Sequence, residues 1–207
     1  MNKMTKPLFT LAIAFASLLS CGSDESSVTS YELPIGTAIP KADVKMKDIN
    51  GKEITLKEAF KPNGLMVMFS CNTCPYVVKN QERTKEISKY ALDNNVGVIL
   101  INSNEGQRMG DDSFEAMQTY AKGQGYNWSY TVDKNAVLAD AFGASRTPET
   151  FLFNKDQSLV YHGAIDDNPS DAGNIKRTHL KEAINEMVAG KDVSVKTSRS
   201  VGCSIKR

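Results

Sequence analysis

Residues 65–75 read LMVMFSCNTCP, and this stretch decides the fold. Its first six residues form an apolar run of the length expected for a strand buried in a sheet. Cys71 and Cys74 follow at once, and Pro75 suits the first turn of a helix. A buried strand that enters a helix through a cysteine pair predicts a layered α/β fold with the pair at the junction.

The spacing of Cys71 and Cys74 suits thiol–disulfide chemistry. The first thiol is expected beside the free amides of the helix start, where the helix dipole favours a thiolate. The second is expected one turn along on the same face, close enough for a disulfide. We therefore expect Cys71 to attack a disulfide and Cys74 to resolve the mixed disulfide. A zinc site is the alternative for such a pair, but Cys203, His162 and His179 are too widely spread to complete one.

The rest of the chain alternates predicted strands and helices. Val44–Leu56 alternates around Asn50-Gly51 and predicts an N-terminal β-hairpin. Ser113 suits the N-cap of a helix. Further strands are predicted at residues 96–102, 128–132, 151–153 and 159–161, and helices at 74–92, 114–122, 136–142 and 178–189. This order predicts a central mixed sheet flanked by helices.

The N-terminus has the pattern of an export signal. Residues 1–20 combine two lysines with an apolar run too short to span a bilayer. The run ends at Leu18-Leu19-Ser20-Cys21, which resembles the lipobox of bacterial lipoproteins and implies lipidation of Cys21. The alternative is an ordinary secretory signal that leaves Cys21 unmodified. The lipobox interpretation places the protein in the bacterial cell envelope, held to a membrane and facing the periplasm or the cell surface.

The predicted organisation has three parts after the signal. Residues 21–35 form a polar tether, residues 36–192 a single domain, and residues 193–207 a tail that carries Cys203. The formal net charge of +1 gives no indication of nucleic-acid binding. No cofactor is expected.

The motifs around the cysteine pair resemble those of the thioredoxin-like redoxins. After the strand, the cysteine pair and the helix come Val132-Asp133, Ala141-Phe142-Gly143, Thr147-Pro148 and Phe151-Leu152-Phe153. The resemblance implies a thioredoxin-like fold in which Pro148 has a cis peptide bond and faces the disulfide. It also implies that the backbone of Thr147 binds an extended strand of the substrate.

A narrower resemblance is to the peroxiredoxin-like branch of the alkyl hydroperoxide reductase/thiol-specific antioxidant group. The matching segments are 71–76 (CNTCPY), 101–104 (INSN), 163–167 (GAIDD) and 202–206 (GCSIK). Peroxiredoxins have a threonine three residues before a peroxidatic Cys-Pro, so Cys74-Pro75 matches and Cys71 replaces the threonine. The resemblance implies that Arg146 stabilises the thiolate; its alternative role is that of a solvated loop residue.

Two further residues are candidates for the same chemistry. Leu65 stands where thioredoxins have a buried acid, so Glu149 is a candidate for proton transfer to Cys74; the alternative is a surface carboxylate. The tail could fold back over the site, where Cys203 would act as a resolving or relay thiol. The alternative for Cys203 is a buried, inert thiol.

Three functions follow from these residues. The first is an extracytoplasmic thiol–disulfide oxidoreductase whose partners are protein or small-molecule disulfides and an unidentified thiol electron donor. The second is a peroxidase in which peroxide oxidises Cys74 to a sulfenic acid that Cys71 or Cys203 resolves. The third is a copper(I) chaperone that uses Cys71, Cys74 and a histidine as ligands.

Overall fold

The computed structural model describes Met1 and residues 32–207, so the predicted signal peptide, Cys21 and most of the predicted tether lie outside the residues described below. Within the described part the strands are β1 (Met46–Asp48), β2 (Glu53–Ile54), β3 (Gly64–Phe69), β4 (Val96–Asn102), β5 (Ser129–Val132), β6 (Arg146–Thr147), β7 (Glu149–Phe153), β8 (Leu159–Gly163) and β9 (Cys203–Ser204). The α-helices are α1 (Leu56–Ala59), α2 (Pro75–Lys79), α3 (Gln81–Asp93), α4 (Phe114–Gln124), α5 (Val137–Phe142) and α6 (His179–Val188). Short 3₁₀ turns lie at Glu105–Gln107, Lys134–Ala136 and Ala172–Asn174.

Seven of the strands form one mixed sheet in the order β2-β1-β5-β4-β3-β7-β8. The pairs β3–β4 and β4–β5 are parallel, and the other neighbours are antiparallel. Strand β3 therefore lies between β4 and β7, inside the sheet. The predicted mixed sheet with flanking helices is confirmed, and so is the N-terminal hairpin, in which Met46 faces Ile54.

Strand β3 contributes to two hydrophobic cores, one on each face of the sheet. Leu65, Val67 and Phe69 pack on one face. Met66 and Met68 pack on the other. Side chains of a strand alternate between faces, and an apolar residue at every position is what burial on both faces requires. This double burial fixes the end of β3, where the cysteine pair begins.

The predicted helix over residues 74–92 is wrong in one respect, because the chain breaks at Asn80 into α2 and α3. The Asn80 backbone has φ −94° and ψ 4°. Its side-chain amide donates to the carbonyl oxygens of Tyr76 at 2.7 Å and Pro169 at 3.1 Å. An asparagine side chain that bonds the backbone in this way competes with the helical ladder and bends the helix. The other predicted helices are present within two residues of their expected ends.

The tail of the chain packs on the domain. Its Val193 and Ile205 are buried, each in one of the two cores. Strand β9 pairs antiparallel with β6, with Thr147 opposite Cys203 and Arg146 opposite Ser204. This small second sheet was not predicted as strands, although the fold-back of the tail was. In the described residues we find no helix with the length and apolar character needed to cross a membrane.

Candidate functional site

Cys71 and Cys74 lie in the loop between β3 and α2, and both are buried. Cys74 is the N-cap residue of α2, and Pro75 occupies the first turn. The structure thus differs from the prediction, which placed the Cys71 thiol at the helix start. Proline suits the first helical position because it has no N–H to leave unpaired, so the residue before it becomes the cap. The free amides of the first turn consequently lie nearest Cys74.

The loop between the cysteines is held by a buried carboxylate. Asp112 is 0% exposed. Its Oδ1 accepts hydrogen bonds from the backbone N–H of Asn72 at 2.9 Å and from Asn102 Nδ2 at 2.7 Å. Its Oδ2 accepts from Asn104 Nδ2 at 2.8 Å. A charged acceptor with three short hydrogen bonds fixes the loop conformation strongly.

Sequence reasoning missed Asp112. The signal available was the pair Asn102 and Asn104 at the end of an apolar strand, because buried amides need partners. The loop also places Asn72 Nδ2 2.7 Å from the carbonyl oxygen of Asp111. The side chain of Asn72 is therefore structural.

Thr147 and Pro148 close the site from the other side. The peptide bond between them is cis, as the resemblance implied. The Thr147 hydroxyl lies 3.3 Å from Cys71 Sγ. The Thr147 carbonyl oxygen lies 3.3 Å from Cys74 Sγ and accepts its thiol proton when Cys74 is protonated. One residue, Thr147, thus contacts both sulfurs.

The two thiols are pushed to opposite protonation states. A hydrogen bond from the Cys71 thiol lowers the pKa of Cys74 to about 4, against the opposing effect of burial. The Cys203 thiol and the backbone N–H groups of Val77 and Cys203 act in the same direction. The same contact with Cys74 raises the pKa of Cys71, and burial adds to it, as does the Asp112 charge. The contact between the two sulfurs therefore favours the thiolate at Cys74 over the thiolate at Cys71.

Cys203 lies beside the pair. It is partly buried and packs against the cluster of Cys71, Cys74 and Val77. Burial raises the pKa of Cys203, and the Cys74 sulfur raises it further. The predicted fold-back of the tail is thus present, and all three cysteines are free thiols in this structure.

Arg146 lies on the surface, in agreement with its alternative role as a solvated residue, although it belongs to strand β6 and not to a loop. Its side chain is exposed and donates from Nη1 to the carbonyl oxygen of Gly202 at 3.2 Å. The Arg146 guanidinium therefore binds the backbone of the tail.

Glu149 is buried, so the expectation of a surface carboxylate is wrong. Its Oε2 accepts from the backbone N–H groups of Ser145 at 2.8 Å and Arg146 at 3.0 Å. Its Oε1 lies 2.8 Å from Nε2 of His162, a buried residue that stacks on Phe151. Both carboxylate oxygens of Glu149 are thus hydrogen-bonded to His162 and to backbone N–H groups. These contacts favour a role in positioning the backbone before Thr147 over proton transfer to Cys74.

The remaining candidates concern metals and the lipid anchor. Within residues 32–207, no group of three or more His, Cys, Asp or Glu side chains is arranged to hold a metal ion. His179 begins α6, away from the cysteines in the sequence. Cys21 lies outside the described residues.

Comparison with known proteins gives matches that cover most of the described chain. The redoxin family profile matches residues 34–178. A hypothetical protein from Sinorhizobium meliloti 1021 is 31% identical, with a TM-score of 0.77 over 85% of this chain and 96% of that one. An uncharacterized conserved protein from Geobacillus kaustophilus is 28% identical, with a TM-score of 0.78 over 84% of this chain and 92% of that one.

More distant structures share the fold alone. A PrxQ mutant from Xylella fastidiosa is 16% identical, with a TM-score of 0.58 over 77% of this chain and 98% of that one. The thioredoxin domain of a thiol–disulfide oxidoreductase from Bacteroides vulgatus is 15% identical, with a TM-score of 0.54 over 64% of this chain and 90% of that one. No curated protein matches the sequence. These likenesses confirm the thioredoxin-like fold that the motifs implied.

Proposed function

This chain belongs to the redoxin family, and we propose that it is a thiol–disulfide oxidoreductase whose redox pair is Cys71 and Cys74. The observation that carries the proposal is the shared contact with Thr147, which lies 3.3 Å from each sulfur through its hydroxyl and its carbonyl oxygen. Two thiols held against one residue, at the start of a helix, are in position to form and break a disulfide.

The protonation states support an order of reaction opposite to the one expected from the sequence. Cys74 is the thiolate, and the thiolate is the nucleophile. Cys74 attacks one sulfur of a partner disulfide, the partner S–S bond breaks, and the leaving partner sulfur departs as a thiolate that takes a proton. The product of this step is a mixed disulfide between Cys74 and the partner.

Resolution by Cys71 follows from the same electrostatics. The main cause of the raised pKa of Cys71 is its contact with the Cys74 sulfur. Once Cys74 is part of a mixed disulfide its negative charge is gone, so this cause disappears and the pKa of Cys71 falls. The Cys71 thiolate then attacks Cys74 Sγ, the partner leaves as a second thiol, and the Cys71–Cys74 disulfide remains. The partner gains two electrons and the pair loses two.

The assay for this function is the reduction of insulin disulfides by dithiothreitol with and without the full chain. We expect the wild-type protein to accelerate the reaction and the Cys71→Ser and Cys74→Ser variants to lose the acceleration. Asp156→Asn, on an exposed turn, is the matched control and should retain it. Acceleration that survives in Cys74→Ser would contradict the assignment of the pair.

A peroxidase is the second candidate, and one observation favours it. Cys74 is a helix N-cap thiolate followed by proline, the position that the peroxiredoxin pattern assigns to the peroxidatic cysteine. The other parts of that pattern are differently placed. Cys71 occupies the position of the threonine, and Arg146 donates to Gly202 in the tail. The geometry therefore supports disulfide exchange better than peroxide reduction.

We further propose that the protein acts in the bacterial cell envelope, anchored by a lipid on Cys21. The support is the sequence Leu18-Leu19-Ser20-Cys21 after an apolar run. The test is metabolic labelling with an alkyne fatty acid in a bacterium that expresses the full chain. Label on the wild-type chain that is lost in Cys21→Ser supports the anchor, and an unlabelled wild-type chain contradicts it.

A further inference from the structure

Strand β9 of the tail pairs with the backbone of Thr147, at the position where an extended strand of a partner protein would pair. Thr147 faces Cys203 in this pairing. The fit is close: a Cβ added to Gly202 would lie 2.1 Å from the Thr147 carbonyl oxygen. That same oxygen lies 3.3 Å from Cys74 Sγ. The tail thus presents its own cysteine at the place where strand addition would bring the sulfur of a bound disulfide.

Several contacts fix the tail in this register. Ile205 is buried in a core, and its N–H donates to the Ser145 carbonyl oxygen at 3.0 Å. The Lys206 N–H donates to Asn104 Oδ1 at 2.8 Å. The Arg207 guanidinium bonds the Asp140 carboxylate at 2.7 Å. The position of Cys203 is therefore set by neighbours on both sides, and its approach to the pair is a built feature of the fold.

We propose that Cys203 is a third redox residue, which exchanges with the Cys71–Cys74 disulfide at Cys74. The inference rests on the proposed function, because that function produces the disulfide. Among the causes that lower the pKa of Cys74 is the Cys203 thiol, whereas Cys203 is absent from those acting on Cys71. Cys74 is the sulfur within reach of the tail.

The exchange step balances without any other reagent. Cys203 loses its proton, its sulfur attacks Cys74 Sγ, and the bond between Cys71 and Cys74 breaks. Cys71 leaves as a thiolate and takes up a proton, and a Cys74–Cys203 disulfide has formed. No electrons are gained or lost, because one disulfide replaces another.

The new disulfide is better placed for reduction than the first one. Cys71 is 2% exposed, whereas Cys203 is only partly buried. A dithiol electron donor attacks Cys203, the Cys74–Cys203 bond breaks, and the second thiol of the donor releases Cys203. The pair returns to the reduced state with two electrons from the donor. The tail thus moves the oxidising equivalent from a buried bond to an accessible one.

The test uses the full chain carrying Cys21→Ser, so that three cysteines remain. In the Cys71→Ser variant of that chain, Cys74 and Cys203 are left. The protein is treated with glutathione disulfide, free thiols are alkylated, and tryptic peptides are mapped without reduction. Trypsin separates Glu58–Lys79 from Ser200–Lys206, so a Cys74–Cys203 bond appears as a linked pair of peptides.

We expect the linked pair to be the main product in Cys71→Ser. Glutathione that stays on Cys74 while Cys203 remains free would overturn the proposal. The Cys71→Ser/Cys203→Ser variant should keep glutathione on Cys74, which shows that Cys74 reacts by itself. Cys74→Ser should give no linked pair, because the contact of Cys203 is with Cys74.

A backbone variant tests the role of strand β9 without removing a thiol. Gly202→Ala must shift strand β9 away from Thr147. A displacement of about 1 Å is expected to slow formation of the Cys74–Cys203 disulfide by about a hundredfold. Gly123→Ala is the matched control, because a Cβ there meets nothing within 4 Å. Formation of the Cys74–Cys203 disulfide at the same rate in both variants would contradict the role of β9.

Failure of the relay is distinguishable from failure of the proposed function. If the three-cysteine protein forms the Cys71–Cys74 bond and accelerates insulin reduction but Cys71→Ser gives no linked pair, the relay alone is wrong. If no Cys71–Cys74 bond forms and insulin is not reduced, the proposed function is wrong.

Discussion

Removal of the Asp112 carboxylate should destabilise the domain by a calculable amount. In Asp112→Ala, the Asn72 N–H and Asn104 Nδ2 lose their acceptor, while Asn102 Nδ2 keeps the Tyr130 hydroxyl at 3.0 Å. Two buried donors are thus left unpaired, at a cost of about 1–3 kcal/mol each. The free energy of unfolding should therefore fall by about 2–6 kcal/mol.

The conservative variant should cost about as much, because an amide has one acceptor oxygen where the carboxylate has two. In Asp112→Asn, the amide oxygen can still accept from Asn72 and Asn102, but the amide nitrogen then faces Asn104 Nδ2. Asn104 cannot turn its own oxygen toward that nitrogen without losing the Lys206 N–H, which it accepts at 2.8 Å. Two donors, Asn104 Nδ2 and the new amide nitrogen, stay unpaired, so at about 1–3 kcal/mol each we expect a loss of about 2–6 kcal/mol.

The assay is urea unfolding of the reduced full chain, with Asp156→Asn as the control, whose exposed side chain should change stability by less than about 0.5 kcal/mol. A second readout is the reactivity of Cys71. The Asp112 charge raises the pKa of Cys71, so both variants should lower that pKa and speed alkylation of Cys71 at alkaline pH. An Asp112→Ala protein as stable as the control would refute the assigned role of this carboxylate.

Three further outcomes are expected. The rate of alkylation of Cys74 by iodoacetamide, located by mass spectrometry, should be independent of pH near neutrality. It should fall as the pH drops toward a pKa of about 4, because the thiolate exists above that value. A midpoint between about pH 8 and 9, the range of an ordinary thiol, would contradict this expectation. Glu149→Gln should lower the free energy of unfolding by about 1–3 kcal/mol, since the charged acceptor of His162 and of two backbone amides is lost; an unchanged urea midpoint would count against it. Asp166→Asn should lower the same quantity by about 3–5 kcal/mol, because it leaves the buried Arg83 without its ion pair at 2.7 Å; a loss below about 1 kcal/mol would show that the pair is dispensable.

Much of the sheet could be predicted because its strands are continuous apolar runs. Residues 65–70 and 96–102 are buried on both faces, and such runs have few other stable environments. The hairpin around Gly51 was predictable for a different reason, since that turn needs a positive φ, which is 78° there.

The break at Asn80 and the position of Cys74 required information of other kinds. The break depends on the carbonyl oxygen of Pro169, which is distant in sequence. The helix start was available in principle, because Pro75 favours the first helical position and makes Cys74 the cap.

The tail and the Asp112 network show why part of the site could not be derived. Strand β9 is two residues long and pairs with a strand of two residues, so it has no periodic pattern. Asp112 lies directly before a helix cap and has the sequence character of a surface residue. Its burial depends on three amides from two other segments, which only the folded chain brings together.

A stopped-flow comparison of two oxidants on the reduced full chain tests the central claim most directly. The second-order rate of oxidation is measured with a protein disulfide and with hydrogen peroxide, and the Cys74→Ser variant supplies the background. Disulfide exchange at Cys71 and Cys74 predicts a fast reaction with the protein disulfide, and a reaction with peroxide no faster than that of a free thiolate. Oxidation by peroxide that is orders of magnitude faster than a free thiolate, with a slow reaction toward the disulfide, would contradict the proposal and identify a peroxidase.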